Sequence, residues 1–174
     1  GCVFQIAAIG VDRVVRRATF GADIDNFCNI DPVPAQLLDA SKLAPGVGDL
    51  TKTMVERYKA KTSATDVPPH CSMGFNQTWI LLNNVLPVAK EKYGSFDPEA
   101  IRKAALDVDI PPGGTIQGYG VKFFRPGTPL AGQNERSTPV VMQNAGEHIS
   151  VVWPTNIRTQ DPVFPLPKSS TYGA

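Results

Sequence analysis

The chain predicts an α/β fold, and predicts it as one part of a larger whole. Residues 49–105 carry three helical patterns of apolar residues in succession. Beyond Pro111-Pro112-Gly113-Gly114 the period changes from helical to strand-like. The strands that this leaves are too few to build the sheet on which those helices must bury their faces.

Taken in order, Val3, Phe4, Ile6, Ala7 and Ala8 read as the end of a helix, with Gly10 as its stop. The β-branched residues between Arg13 and Phe20 predict a strand. Gly21-Ala22-Asp23 then forms a loop at its carboxyl end, the edge at which ligands bind in open α/β sheets. Residues 30–48 are rich in Pro, Gly, Asp and Ser and read as a connector.

Asp49 is a suitable N-cap for the first helix of the set. Leu50, Met54 and Tyr58 share its inner face, and Lys52, Glu56 and Lys59 are spaced for solvated ion pairs. After Pro68-Pro69 comes the longest helix, about Phe75 to Tyr93, with Phe75, Trp79, Leu82, Leu86 and Ala89 as its apolar stripe and a kink at Pro87. A third helix starts at Asp97-Pro98, a cap followed by proline, and buries Ile101, Ala104 and Ala105. Tyr119 to Phe124 reads as a strand. Val140–Gln143 and His148–Trp153 read as a hairpin turning at Asn144-Ala145-Gly146-Glu147. The tail, Pro162 to Pro167, is expected to lie extended on the surface.

Several functions find no support in the residues. A net charge of +1 gives no electrostatic reason for a nucleic-acid or anionic-membrane partner. The most apolar stretch, Trp79 to Ala89, is interrupted by Asn83, Asn84 and Pro87, so nothing is expected to span a bilayer. Cys2, Cys28 and Cys71 are odd in number and far apart, which is not a disulfide framework; one bridge and three buried thiols both stand open. Gly46-Val47-Gly48-Asp49-Leu50-Thr51-Lys52-Thr53 is no phosphate loop, because Thr51 stands where that motif needs glycine. His70 and Cys71 would need distant partners to hold a metal. A Ser-His-Asp site would need His70 or His148, and His148 sits in a strand of alternating apolar residues, where a polar edge position explains it. No enzyme, cofactor or metal centre is expected.

Five stretches, in order, carry a resemblance. They are Met54-Val55-Glu56-Arg57-Tyr58-Lys59-Ala60-Lys61, then Gly74-Phe75-Asn76 opening a long helix, then Asp97-Pro98-Glu99-Ala100-Ile101-Arg102-Lys103-Ala104. Gly120-Val121-Lys122-Phe123 with Pro139-Val140-Val141-Met142-Gln143 follows, and Val151-Val152-Trp153-Pro154 with Pro162-Val163-Phe164-Pro165-Leu166-Pro167 closes the series. Over about residues 49 to 167 the chain resembles the branched-chain amino acid class of periplasmic solute-binding proteins, those of the type I (leucine/isoleucine/valine-binding) fold.

The resemblance implies two Rossmann-like α/β lobes joined by three hinge crossings, with this chain as the carboxy-terminal half. Residues 1–30 would complete lobe two, 31–48 would be a hinge crossing or connector, and 49–110 would be lobe-one helices. Residues 111–156 would return into lobe two with a terminal hairpin, and 157–174 would be the Pro-rich tail. Residues 30–48 depart from the family pattern, because its β-rich crossing strand is not recognisable there.

The implied function is that of an extracytoplasmic receptor, periplasmic or lipid-anchored, serving an ABC importer. It would bind a branched-chain amino acid or related small carboxylate, an aromatic acid or amide included, and hand it to the permease membrane subunits. The amino-terminal half of the same protein would be its other partner. A ligand-sensing regulatory protein of the same fold is the alternative.

The same resemblance points to ligand-binding residues. Asp23 matches an acidic residue that meets the ligand ammonium, and a plain loop or cap aspartate is the competing reading. Phe75 matches an aromatic at the cleft face, against a core aromatic on the helix stripe. His70, Cys71 and Asn76 are further candidates from the same segment, also readable as ordinary loop and helix-start residues.

Overall fold

A computed structural model describes residues 4–5, 18–146 and 148–164. Four strands form one sheet in the order β1 (Phe4–Gln5), β2 (Cys28–Asp31), β3 (Val140–Ala145), β4 (His148–Trp153). β1 runs parallel to β2, and β2–β3 and β3–β4 are antiparallel. The hairpin forms as its alternation predicts, and β3 extends to Ala145 before Gly146 turns the chain at φ +57°.

The inner strand β2 lies at the head of what reads as a connector. Cys-Asn-Ile-Asp has two polar residues in four, so neither alternation nor an apolar run marks it; pairing with β1 and β3 on both sides makes it a strand. Phe4–Gln5 is strand rather than helix end, for the same reason: two residues carry no readable period. At the other end of the expected strand, residues 18–20 are helical and lead into a 3₁₀ turn at Gly21–Ile24. The remainder of that strand, residues 13–17, lies outside the described residues.

Three helical stretches follow. α1 (Val47–Thr62) begins two residues before the expected cap: Gly46, at φ +82°, is the N-cap, and Asp49 sits inside the first turn, where its charge meets the positive end of the helix. α2 (Pro69–Ile80) begins six residues earlier than Phe75, with Pro69 at the first position, where its missing N–H costs nothing. It runs on through a π-helical turn, Leu81–Val85, into α3 (Leu86–Tyr93).

That turn accounts for Pro87 and for a corrected stripe. Proline cannot donate to the carbonyl of Asn83 and its ring crowds that group, so the backbone widens in the turn before it. The residue thereby inserted shifts the helical register. The buried line is Ser72, Asn76, Ile80, Val85 and Ala89, spaced by four, four, five and four. Trp79 and Leu82, expected to be buried, are 41% and 54% exposed.

α4 (Pro98–Asp107) forms as expected, with Asp97 accepting from the amide of Ala100 at 2.8 Å. Tyr119–Phe124 is not a ladder strand: only the isolated bridges Ile110–Val121 and Phe123–Asn134 form along it.

The core lies in three places. Met142, Val140 and Val151 of the hairpin pack with Val33 and Ile157. Ile80, Val85 and Ala89 meet Ala104 and Val108 of α4, and Val121. Met54 of α1 meets Val67, Ala35 and Ile116. The segment after β2 is therefore packed and not a loose linker. Val33 and Ala35 are fully buried, and Gln117 Nε2 donates to the Val33 carbonyl at 3.0 Å. Among the described residues no helix is long and apolar enough to cross a membrane. Cys28 is buried and Cys71 is exposed, so a reading with all three cysteines buried does not hold; Cys2 lies outside the described residues.

Candidate functional site

The start of α1 and the loop after α4 are tied together: the amide of Ala44 donates to the Gly113 carbonyl at 2.9 Å. Ile110 and Val121 exchange both backbone hydrogen bonds, at 2.8 and 2.9 Å, which closes the 111–120 loop. α2 passes over the gap between these two structures. What remains open is a pocket of about 280 Å³, at the low end of the ~300–1,000 Å³ usual for small-molecule sites.

Leu50, Ile80, Ile110 and Ile116 give it apolar walls, and Trp79 an aromatic one. Asn76, Asn84 and Thr115 supply its polar side chains. Asn76 is only 3% exposed, and its carboxamide hydrogen-bonds with the Tyr119 hydroxyl. Burial pushes the Tyr119 phenol upward, against the pull of that hydrogen bond. Thr115 Oγ1 donates to the Tyr119 carbonyl at 2.6 Å, so one tyrosine braces two members of the wall.

The residues expected from the sequence fall in three places. Asn76 lines the pocket. Phe75, half-buried, is not in the lining and packs against the cluster of Ala35, Met54, Val67 and Ile116. Its ring stacks on Trp79 with centroids 5.8 Å apart and an 18° interplanar angle, so Phe75 backs the aromatic wall without being part of it. Cys71, exposed one turn into α2, donates to the Tyr58 hydroxyl at 3.8 Å and is not in the wall. That hydrogen bond, ahead of desolvation, raises the Tyr58 phenol. His70 is exposed in the same turn.

Asp23 lies elsewhere. Its 3₁₀ turn leads directly into contacts with the hairpin: Asp25 Oδ1 accepts from the Gly146 amide at 3.0 Å and the Asn26 amide donates to the Asn144 carbonyl at 2.7 Å. Asp23 thus belongs to the turn end of the sheet and does not line the pocket. The structure brings Asn76, Phe75 and Trp79 together, and leaves Cys71 and Asp23 apart from the pocket. Sequence reasoning passed over Trp79, Asn84 and Thr115. Asn84 had a signal, a carboxamide interrupting the most apolar stretch of the chain.

The fold defines the class. An extracellular ligand-binding receptor from Rhodopseudomonas palustris HaA2 superposes with a TM-score of 0.58 at 20% identity, covering 88% of this chain and 41% of that one. A second protein, from Rhodopseudomonas palustris strain CGA009, gives 0.57 at the same identity and coverage. The chain thus carries part of the type I periplasmic ligand-binding fold. In sequence it is similar to Leu/Ile/Val-binding protein homolog 8 of Brucella abortus (strain 2308) and of Brucella suis biovar 1, at 41% identity over 102 residues. That match covers 59% of this chain and 23% of those relatives, so the chain spans less than a quarter of their length in the match. No family model matches it. By name the Brucella relatives are binding proteins, and the structure from strain HaA2 is a ligand-binding receptor.

Proposed function

We propose that this chain is the carboxy-terminal portion of an extracytoplasmic solute receptor of an ABC importer. In this reading it binds a branched-chain amino acid or a related small carboxylate and passes it to the permease. It acts in the periplasm or from a lipid anchor on the outer face of the membrane. The observation that carries the reading is the 41% identity over 102 residues with proteins named for leucine, isoleucine and valine binding.

The remainder of the receptor is the second partner. Leu81 and Leu82 expose 41% and 54% of their surfaces in the π-helical turn, exposed apolar area of the kind that an interdomain contact covers. In this reading Asp23 answers the ammonium group of the solute from the hairpin side, and Phe75 supports the aromatic wall on the helical side.

Native mass spectrometry of the protein purified from its source, followed by denaturing release of small molecules, tests the reading. Release of an amino acid or small carboxylate in stoichiometric amount supports it. A protein that carries no solute and takes up none of these compounds when they are added overturns it.

A further inference from the structure

We infer that the pocket beside Asn76 takes an uncharged, planar, hydrogen-bonding group, with the carboxamide as its chemical class. None of its lining residues, all of them among the described ones, carries an ionisable side chain. A carboxylate or ammonium placed there would lose water with no counter-charge to replace it. The start of α1 contributes only a partial positive charge, and Asp49 in its first turn offsets that.

The polar side chains present are all neutral. Asn76 and Asn84 are carboxamides, each both donor and acceptor; Asn76 shares one hydrogen bond with the Tyr119 hydroxyl and keeps further capacity, and the hydroxyl of Thr115 is engaged with the Tyr119 carbonyl. A carboxamide wall is best answered by a ligand group that donates and accepts side by side, as an amide does. Trp79 on one side and Ile80, Ile110 and Ile116 on the others form a setting for a flat or branched apolar body. A solute that also carries charge would keep its ionised groups outside this pocket.

The inference deepens the solute-receptor reading and rests on it in taking a small organic molecule as the occupant. Benzamide and benzoate are the probes, because they share a shape and differ in charge. Proton–nitrogen correlation spectra of the chain would follow the Trp79 indole and the Asn76 and Asn84 carboxamides during titration. Benzamide is expected to move these signals saturably, and benzoate to bind about tenfold more weakly or not at all. Asn84→Asp, at a half-exposed position, should weaken benzamide by about tenfold by adding a charge to the wall. Benzoate binding as tightly as benzamide overturns the inference, and so does a benzamide titration that leaves those signals unmoved. The receptor reading fails by a different sign, a protein that releases no solute and takes up no amino acid or small carboxylate when these are added.

Discussion

The backbone amide of Ala35 donates to Ser72 Oγ at 3.1 Å, with both residues fully buried. This bond fixes the segment after β2 against the first turn of α2, and Gln36 Nε2 reinforces it by donating to the Val67 carbonyl at 3.1 Å. α2 in turn carries Asn76 and Trp79 to the pocket. The position of the wall therefore depends on a hydroxyl several residues away from it.

Ser72→Ala should cost about 1–3 kcal/mol, because it leaves the Ala35 amide buried without an acceptor. Urea unfolding compared with the exposed substitution Ser41→Ala measures this. A loss no greater than that of Ser41→Ala would mean that the segment is held by its apolar contacts alone.

Two glycines should respond in opposite directions. A Cβ on Gly120 would collide with the Ile110 carbonyl oxygen and the Pro111 backbone, so Gly120→Ala should destabilise by about 1–3 kcal/mol and open the Ile110–Val121 bridge. Gly74 sits inside α2 with open space around it, so Gly74→Ala should stabilise by roughly 0.5–1 kcal/mol. Thermal unfolding of both variants decides this; stabilisation by Gly120→Ala would contradict the loop geometry.

Acid should weaken the contact between α3 and α4. Asp107 accepts from Lys92 Nζ at 2.7 Å and from the Tyr93 hydroxyl at 2.5 Å, with Arg125 at 3.9 Å. The Lys92 and Tyr93 hydrogen bonds hold its carboxyl below the usual range. A depressed pKa means that the folded state gains stability once pH exceeds the unfolded value of about 4, and loses it as pH falls through the folded value. Lys92 is raised by the same hydrogen bond, so its share is present below its unfolded pKa and lost at strongly alkaline pH. Unfolding midpoints against pH should therefore drop less steeply in acid for Asp107→Asn than for the parent. Parallel acid limbs would exclude Asp107 as a contributor.

The solute-binding roles separate by variant and ligand. Asp23→Asn should weaken amino acids and spare their deaminated analogues, since only the former carry an ammonium group. Phe75→Ala should lower both binding and stability, because Phe75 touches the Met54 cluster as well as Trp79. Equal losses for both ligand classes in Asp23→Asn would remove that role.

Much of the fold was legible from local signals. Asp97-Pro98 marked α4 by its cap chemistry, and the alternation in Val140–Trp153 marked the hairpin. β2 was not legible, because Cys-Asn-Ile-Asp becomes a strand through neighbours distant in sequence. The stripe on α2 was misread because a helical period assumes constant register, and the π turn before Pro87 changes it. Of the ligand-binding residues singled out from the sequence, Asn76 lines the pocket and the others do not. Trp79 counted as core by spacing alone, and Thr115 reaches the pocket through a loop closed by one isolated bridge.

The measurement that bears most directly on the solute-receptor account is a calorimetric titration of the protein with the branched-chain amino acids and with small aromatic carboxylates and amides. The account predicts saturable one-site binding by at least one of these classes. No binding heat from any of them, by protein whose cooperative unfolding shows it to be folded, would contradict it.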